Sequence, residues 1–163
     1  MHLAAIAVRT DDERATLFDT YQRQCDRAGL RATLVGGLHQ QLPRALAALP
    51  ATRVIACPSR VETLANVVFE TALWAQNDGA VVLAPARDGF TEQIADGPNG
   101  LLYDPAPPDA LASGLRRALA LTETERARMR RAAHARAVAR ARRCPAPRRA
   151  AGPPLPGSAG PGR

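Results

Sequence analysis

Short apolar runs alternate with helical segments along most of this 163-residue chain. Runs of this kind, typical of strands buried on both faces, lie at His2–Val8, Arg31–Val35, Arg53–Cys57, Ala80–Ala84 and Leu101–Tyr103. Apolar strands that have no polar face and are separated by helices predict a parallel sheet covered on both sides. We therefore expect a doubly wound α/β fold with a sheet of about five strands, in which ligands bind beyond the carboxyl ends of the strands.

The segments between these runs carry helix signals. Helices or helical turns are predicted at Arg14–Ala28, Leu42–Leu49, Asn66–Gln76, Thr91–Ala95 and Pro108–Leu121. After them, residues 122–125 (Thr-Glu-Thr-Glu) have the spacing of a capping box, in which the first and last side chains satisfy each other's backbone amides. They predict the start of an Arg-rich helix that reaches about Arg142.

The positive charge is concentrated at the C-terminal end. All 22 basic residues are Arg; residues 1–122 hold 11 of them against 13 acids, and residues 123–163 hold 11 against 2. We divide the chain into a near-neutral domain (1–122), a basic helix (123–143) and a tail (144–163) whose Pro, Gly, Ala and Arg content predicts disorder. The basic helix leaves a nucleic-acid binder open as a function, although the absence of interleaved aromatic side chains disfavours it.

The sequence also excludes several classes of protein. Cys25, Cys57 and Cys144 are widely spaced and fit neither a metal site nor a disulfide framework, so a reducing cytoplasm is the expected location. Because Cys57 ends a strand, we interpret it as a small buried group rather than a nucleophile. No apolar run approaches the length of a membrane span. We expect no membrane span.

The segment from Pro58 to Ala72 carries the clearest chemical signal. A buried strand leads into a loop, and the loop leads into a helix that begins near Asn66. The amides at a helix start have no intrahelical partner and lie at the positive end of the helix dipole, which favours a diphosphate. Glu62 in the loop and Glu70 in the helix would repel phosphate, so we expect them to accept hydrogen bonds from sugar and ribose hydroxyls.

Two Glu separated by seven residues, following Pro58-Ser59-Arg60, resemble the Glu-x7-Glu signature of retaining glycosyltransferases with two Rossmann-like domains (glycosyltransferase group 1, family 4-like). Residues 87–92 (Arg-Asp-Gly-Phe-Thr-Glu) are similar to the Gly-containing loop and Glu of that family. Residues 96–102 (Asp-Gly-Pro-Asn-Gly-Leu-Leu) are similar to its Asp-Gly-x-x-Gly turn. The resemblance, which extends more weakly from residue 3 to about residue 138, is to the C-terminal, donor-binding, Rossmann-like domain.

This resemblance implies a role for each matching residue. Glu70 would bind the ribose of a nucleotide-diphosphate sugar, and Glu62 would lie beside the transferred sugar as the catalytic-region carboxylate. The remaining donor contacts would come from Ser59, Leu64, Ala65, Asn66, Val67 and Gly37, the last in the Gly36-Gly37 turn near the base. The implied reaction transfers the sugar with retention, without a metal or cofactor, to a sugar or another small-molecule acceptor.

The chain also departs from the family pattern. Leu64-Ala65 replaces a Phe-Gly pair, and a methyl at position 65 narrows the backbone approach that Gly permits. Family members begin this domain one strand earlier, with a loop whose Arg and Lys grip the diphosphate, and they carry an N-terminal acceptor-binding domain. We therefore expect a fragment, a split gene product or a decayed copy, inactive or weakly active without a separate acceptor-domain chain.

An alternative function of another class remains open beside these. Glu62 and Glu70 can also be interpreted as a solvated carboxylate and a helix acid that complements the dipole. The chain would then be a non-catalytic module that binds a nucleotide or a partner protein.

Overall fold

The computed structural model describes residues 2–7, 11–36, 41–59, 61–75 and 78–143. The elements follow one another as β1 (His2–Ala7), α1 (Asp11–Arg27), β2 (Arg31–Gly36), α2 (Gln41–Ala48), β3 (Val54–Ala56), α3 (Asn66–Ala75), β4 (Val81–Pro85), α4 (Asp88–Gln93), β5 (Leu101–Tyr103), α5 (Ala110–Ala120) and α6 (Glu123–Arg143). The predicted alternation of strands and helices is confirmed. The tail (144–163) and Gly37 lie outside the described residues.

The strands form two parallel sheets. β1 pairs with β2 from His2 opposite Arg31 to Ala7 opposite Gly36, and β3, β4 and β5 form a second sheet in that order. A single sheet of about five strands is not confirmed, because within the described ranges no strand pair joins β1 or β2 to β3. Apolar runs identify strands by burial, but they carry no information on which strands share hydrogen bonds.

Helices cover both faces of the three-stranded sheet. All five residues of β4 are buried. Val82 and Ala84 lie in one apolar cluster with Val68 of α3 and Phe90 of α4. On the other face, Val81, Leu83 and Leu101 cluster with Ala118 of α5 and Met129 of α6. The expected doubly wound arrangement is therefore confirmed for this sheet, and the carboxyl ends of its strands are left to the loops.

The capping box at the start of α6 is formed as predicted. The backbone N–H of Thr122 donates to Glu125 Oε2 at 2.7 Å, and the N–H of Glu125 donates to Thr122 Oγ1 at 3.3 Å. The hydrogen bonds from Thr122 lower the pKa of the Glu125 carboxyl. Each side chain thus satisfies an amide that the helix itself leaves without a partner.

Two arginines of α6 are internal. Arg126 and Arg130 are 6% and 4% exposed. Arg126 donates to the Leu121 carbonyl at 2.6 Å, and Arg130 donates to the Gly79 carbonyl at 3.1 Å. Both bind the carboxylate of Glu123 at 2.6 Å. Arg130 thus joins α6 to the turn before β4, whereas Arg126 orders the start of α6 itself. Because both are buried, neither guanidinium belongs to the surface that a nucleic acid would meet.

Replacement of Arg130 tests this packing. Arg130→Met keeps an aliphatic stem but leaves the Gly79 carbonyl without its charged donor, and we expect unfolding to become easier by about 2 kcal/mol. Arg131→Met is the matched control, since Arg131 is exposed on the same helix, and should change stability by less than about 0.5 kcal/mol. Urea unfolding followed by circular dichroism measures both; equal effects would contradict a structural role for Arg130.

Candidate functional site

The loop after β3 is organised around Glu62. This residue is half-buried, and its Oε1 accepts a hydrogen bond from the backbone N–H of Ala65 at 3.0 Å. Its backbone carbonyl accepts a second hydrogen bond from the N–H of Gly89 at 3.0 Å. The carboxylate therefore closes the turn that leads into α3, a structural task that the sequence did not reveal.

Ala65 adopts a conformation that favours glycine. Its φ is 46°, which costs a residue with a Cβ about 1–2 kcal/mol. The residue is fully buried, and its methyl group packs in the cluster that contains Cys57, Val68 and Phe90. The sequence suggested that this methyl group narrows the approach to the backbone. In the structure the methyl group faces the core, and the N–H of Ala65 already donates to Glu62.

The other predicted donor contacts surround the start of α3. Asn66 is exposed and Val67 half-buried; they open the helix, so their amides have no intrahelical acceptor. Leu64 is 58% exposed. Glu70 is half-buried and lies four residues beyond Asn66, roughly 6 Å along the helix axis. The structure thus gathers Glu62, the helix start and Glu70 in the loop and the first turns of α3.

Ser59 precedes this group in the chain. Ser59 is half-buried in the loop directly after β3, on the approach to Glu62. Gly37 lies outside the described residues, so its predicted contact with the base stays a prediction.

Helix α4 holds the Glu62 loop in place. A Cβ on Gly89 would lie 2.6 Å from the carbonyl oxygen of Thr63, so only glycine permits this close approach. The side-chain amide of Gln93 donates to the carbonyl of Leu64, and Gln93 is 3% exposed. The second matching motif, residues 87–92, therefore positions the loop. Gln93 was missed because a polar residue in a short helical turn reads as solvent-exposed from sequence.

The third motif joins α4 to β5. Asp96 accepts a hydrogen bond from the N–H of Leu102 at 2.9 Å and forms an ion pair with Arg117 at 2.9 Å. Asn99 accepts from the N–H of Ala95 at 2.6 Å and donates to the carbonyl of Gln93 at 2.9 Å. These contacts give the turn a structural role. Through its bond to Gln93, Asn99 also helps to hold the Glu62 loop, because the Gln93 side chain donates to Leu64.

Cys57 lies beside Glu62 and is buried. Burial raises the pKa of the Cys57 thiol to about 12, and the negative charge of Glu62 adds to that rise. A thiol that holds its proton so firmly is a poor nucleophile at neutral pH. The interpretation of Cys57 as a small buried group agrees with this environment.

Candidate metal sites and membrane-spanning helices are absent from the described ranges. No three His, Cys, Asp or Glu side chains there lie together in a group that could hold a metal ion. No helix among the same residues is long and apolar enough to cross a membrane.

Comparison with protein families decides the class of the chain. The family model for glycosyl transferases group 1 matches residues 16–136, which is more than half of the sequence and includes Glu62, Glu70 and all three motifs. The chain belongs to this family. A search of curated proteins finds no match.

Solved structures share the fold of this group 1 glycosyltransferase domain. HepE from Anabaena, solved in complex with UDP-glucose, is 25% identical with a TM-score of 0.65, over 84% of this chain and 36% of that chain. Sucrose-phosphate synthase from Thermosynechococcus elongatus is 22% identical with a TM-score of 0.66, over 82% and 33%. The C-terminal domain of LpcC, a group 1 family protein from Francisella tularensis, is 15% identical with a TM-score of 0.62, over 85% of each chain. The chain thus spans about a third of the first two.

A substitution at Gly89 tests how the loop of this glycosyltransferase domain is held. In Gly89→Ala the new methyl meets the Thr63 carbonyl, and we expect a loss of about 2 kcal/mol of stability from overpacking. Gly29→Ala is the control, because a Cβ there meets nothing within 4 Å and only its φ of 63° is unfavourable; its loss should be about 1 kcal/mol. Urea unfolding measures both, and a smaller effect at position 89 than at position 29 would contradict the close approach.

The thiol of Cys57 gives a pH-dependent prediction. Because its folded pKa lies above the ordinary value of 9.0, the unfolded chain ionises first as pH rises, and the thiol's contribution to stability is complete only below about pH 9. Above that value the contribution falls by up to about 1.4 kcal/mol per pH unit. The difference in unfolding free energy between the native chain and Cys57→Ala should shift accordingly between pH 8 and pH 10.5. A difference that stays constant over that range would show that the thiol is not held in its protonated form.

Proposed function

We propose that this chain is the donor domain of a retaining glycosyltransferase and binds a nucleotide-diphosphate sugar at the start of α3. The observation that carries the proposal is the position of Glu62 and Glu70. Glu62 lies on the turn before the helix and Glu70 lies about 6 Å along the helix axis from its first residue, and the amides of Asn66 and Val67 lie between the two in the chain. Membership of the group 1 family supports the same function.

Each part of this arrangement has a distinct task in the proposed reaction. The bond between the anomeric carbon and the diphosphate breaks, and negative charge develops on the departing diphosphate. The helix amides and the helix dipole stabilise that charge. Glu70 accepts hydrogen bonds from the ribose hydroxyls. Glu62 lies beside the transferred sugar, where its charge favours an oxocarbenium-like transition state. In the proposed reaction neither a metal nor a cofactor takes part.

The donor and acceptor differ in how far the comparisons support them. HepE has been solved with UDP-glucose, which makes a UDP-sugar the first donor to test. This chain spans about a third of HepE. In our proposal a second domain or a separate chain therefore holds the acceptor, which is either a sugar or another small molecule. We place the reaction in the cytoplasm, the reducing compartment that the three widely spaced cysteines predict.

Removal of the Glu70 carboxylate tests donor binding. We expect UDP and UDP-glucose to bind the native chain in ligand-observed NMR, and Glu70→Ala to weaken binding at least tenfold, because the ribose hydroxyls lose a charged acceptor. Asp78→Asn is the matched control: it removes one exposed carboxylate beyond the opposite end of α3 and should leave the affinity unchanged. GDP and ADP, measured in parallel, identify the base.

Other outcomes would favour the alternative functions. Nucleotide binding that is indifferent to Glu70 would indicate a non-catalytic nucleotide- or partner-binding module. Affinity for DNA that disappears between low and moderate salt would indicate a phosphate-binding surface on α6. The burial of Arg126 and Arg130 disfavours the second of these.

A further inference from the structure

A cleft opens at the carboxyl ends of β3, β4 and β5, and of the predicted donor contacts its described lining includes only Ser59. Its volume is about 340 Å³, within the range of small-ligand sites. Ser59, Arg87 and Tyr103 contribute its polar groups, and five prolines form much of its wall. Because open parallel sheets bind ligands beyond the carboxyl ends of their strands, the position alone makes this cleft a candidate site.

The charge of the cleft is positive. Arg87 is the one charged side chain among the described residues that line it. Burial raises the pKa of the Tyr103 hydroxyl, and the positive charge of the Arg87 guanidinium opposes that rise. An arginine, a phenol and the Ser59 hydroxyl in one cleft provide donors for an anion and for neighbouring hydroxyl groups.

The walls of the cleft are rigid. The prolines have a fixed φ, and the N–H of Ala86 donates to the carbonyl of Tyr103 at 2.7 Å, which joins the ends of β4 and β5. In the loop before α5, the N–H of Ala106 donates to Asp104 Oδ1 at 3.0 Å, and the N–H of Ala110 donates to the Pro107 carbonyl at 3.1 Å. A site built this way loses little conformational entropy when a ligand binds.

We propose that this cleft binds a sugar that carries one carboxylate or one phosphate group. Arg87 pairs with the anion, Tyr103 and Ser59 bind ring hydroxyls, and the flat prolyl and tyrosyl surfaces cover the apolar face of the ring. The cleft lies next to the candidate donor site, because Ser59, which lines it, precedes Glu62 by only three residues. Binding of this sugar to the cleft does not rest on the proposed donor function, whose acceptor is held by a second domain or a separate chain.

Titration calorimetry with four probes tests the proposal: glucose 6-phosphate, glucuronate, neutral glucose and inorganic phosphate. We expect at least one of the two anionic sugars to bind at least tenfold more tightly than glucose and than inorganic phosphate, and the comparison of the two identifies the anion. Arg87→Gln should weaken this binding at least tenfold, and Tyr103→Phe about threefold. Arg116→Gln, which removes an exposed arginine from α5, should leave it unchanged.

Several results would overturn the proposal. They are the absence of binding by both anionic sugars at millimolar concentration, equal affinity for glucose or for inorganic phosphate, and equal affinity of the native chain and Arg87→Gln. If Arg87→Gln does not fold, as judged by circular dichroism, Tyr103→Phe decides in its place. Glu70→Ala separates the two sites, because it should weaken nucleotide binding at least tenfold while the affinity for the anionic sugar stays unchanged. Failure of the native chain to bind nucleotide contradicts only the proposed donor function.

Discussion

The approach of Gly89 to the backbone of Thr63 governs the arrangement of the candidate site. Because Gly89 has no side chain, its backbone comes close enough for its N–H to donate to the Glu62 carbonyl. The Gln93 side chain then donates to the Leu64 carbonyl. The turn is then tight enough for the Glu62 carboxylate to accept the Ala65 amide. Helix α3 begins in a fixed position as a result, and with it Glu70 and the first amides of the helix. A site of this kind depends on a supporting helix as much as on its own residues.

The sequence predicted the structure correctly where a residue pattern fits only one kind of structural element. Apolar runs identified the strands, and Thr122 with Glu125 identified the helix start, since few other arrangements use that spacing. The motif around Glu62 gave the family. The support beneath it was not predictable, because Gln93 and Asn99 act through contacts between residues that a local pattern leaves undetermined. The pairing of the strands into two sheets was missed for the same reason.

The basic helix shows that the number of positive charges in a segment does not give the charge available on its surface. The sequence places most of the net positive charge after residue 122, and a polyanion partner was a reasonable alternative on that basis. In the structure Arg126 and Arg130 are buried, and they donate to two backbone carbonyls and to the exposed carboxylate of Glu123. Arg140 lies 4.5 Å from the centre of the Phe69 ring, and Arg136 donates to the Glu92 carbonyl. Arg130, Arg136 and Arg140 therefore bind α6 to the rest of the domain.

Ala65 links the order of the loop to the order of α4. A left-handed backbone at an alanine persists only while its surroundings enforce it. Here the enforcing contacts come from the Glu62 side chain and from the core cluster that includes Phe90 of α4. If α4 detached, Ala65 would return to an ordinary conformation and the turn would lose its shape. The loop and α4 therefore open as one cooperative unit, and a ligand that stabilises the loop also reduces the local unfolding of α4.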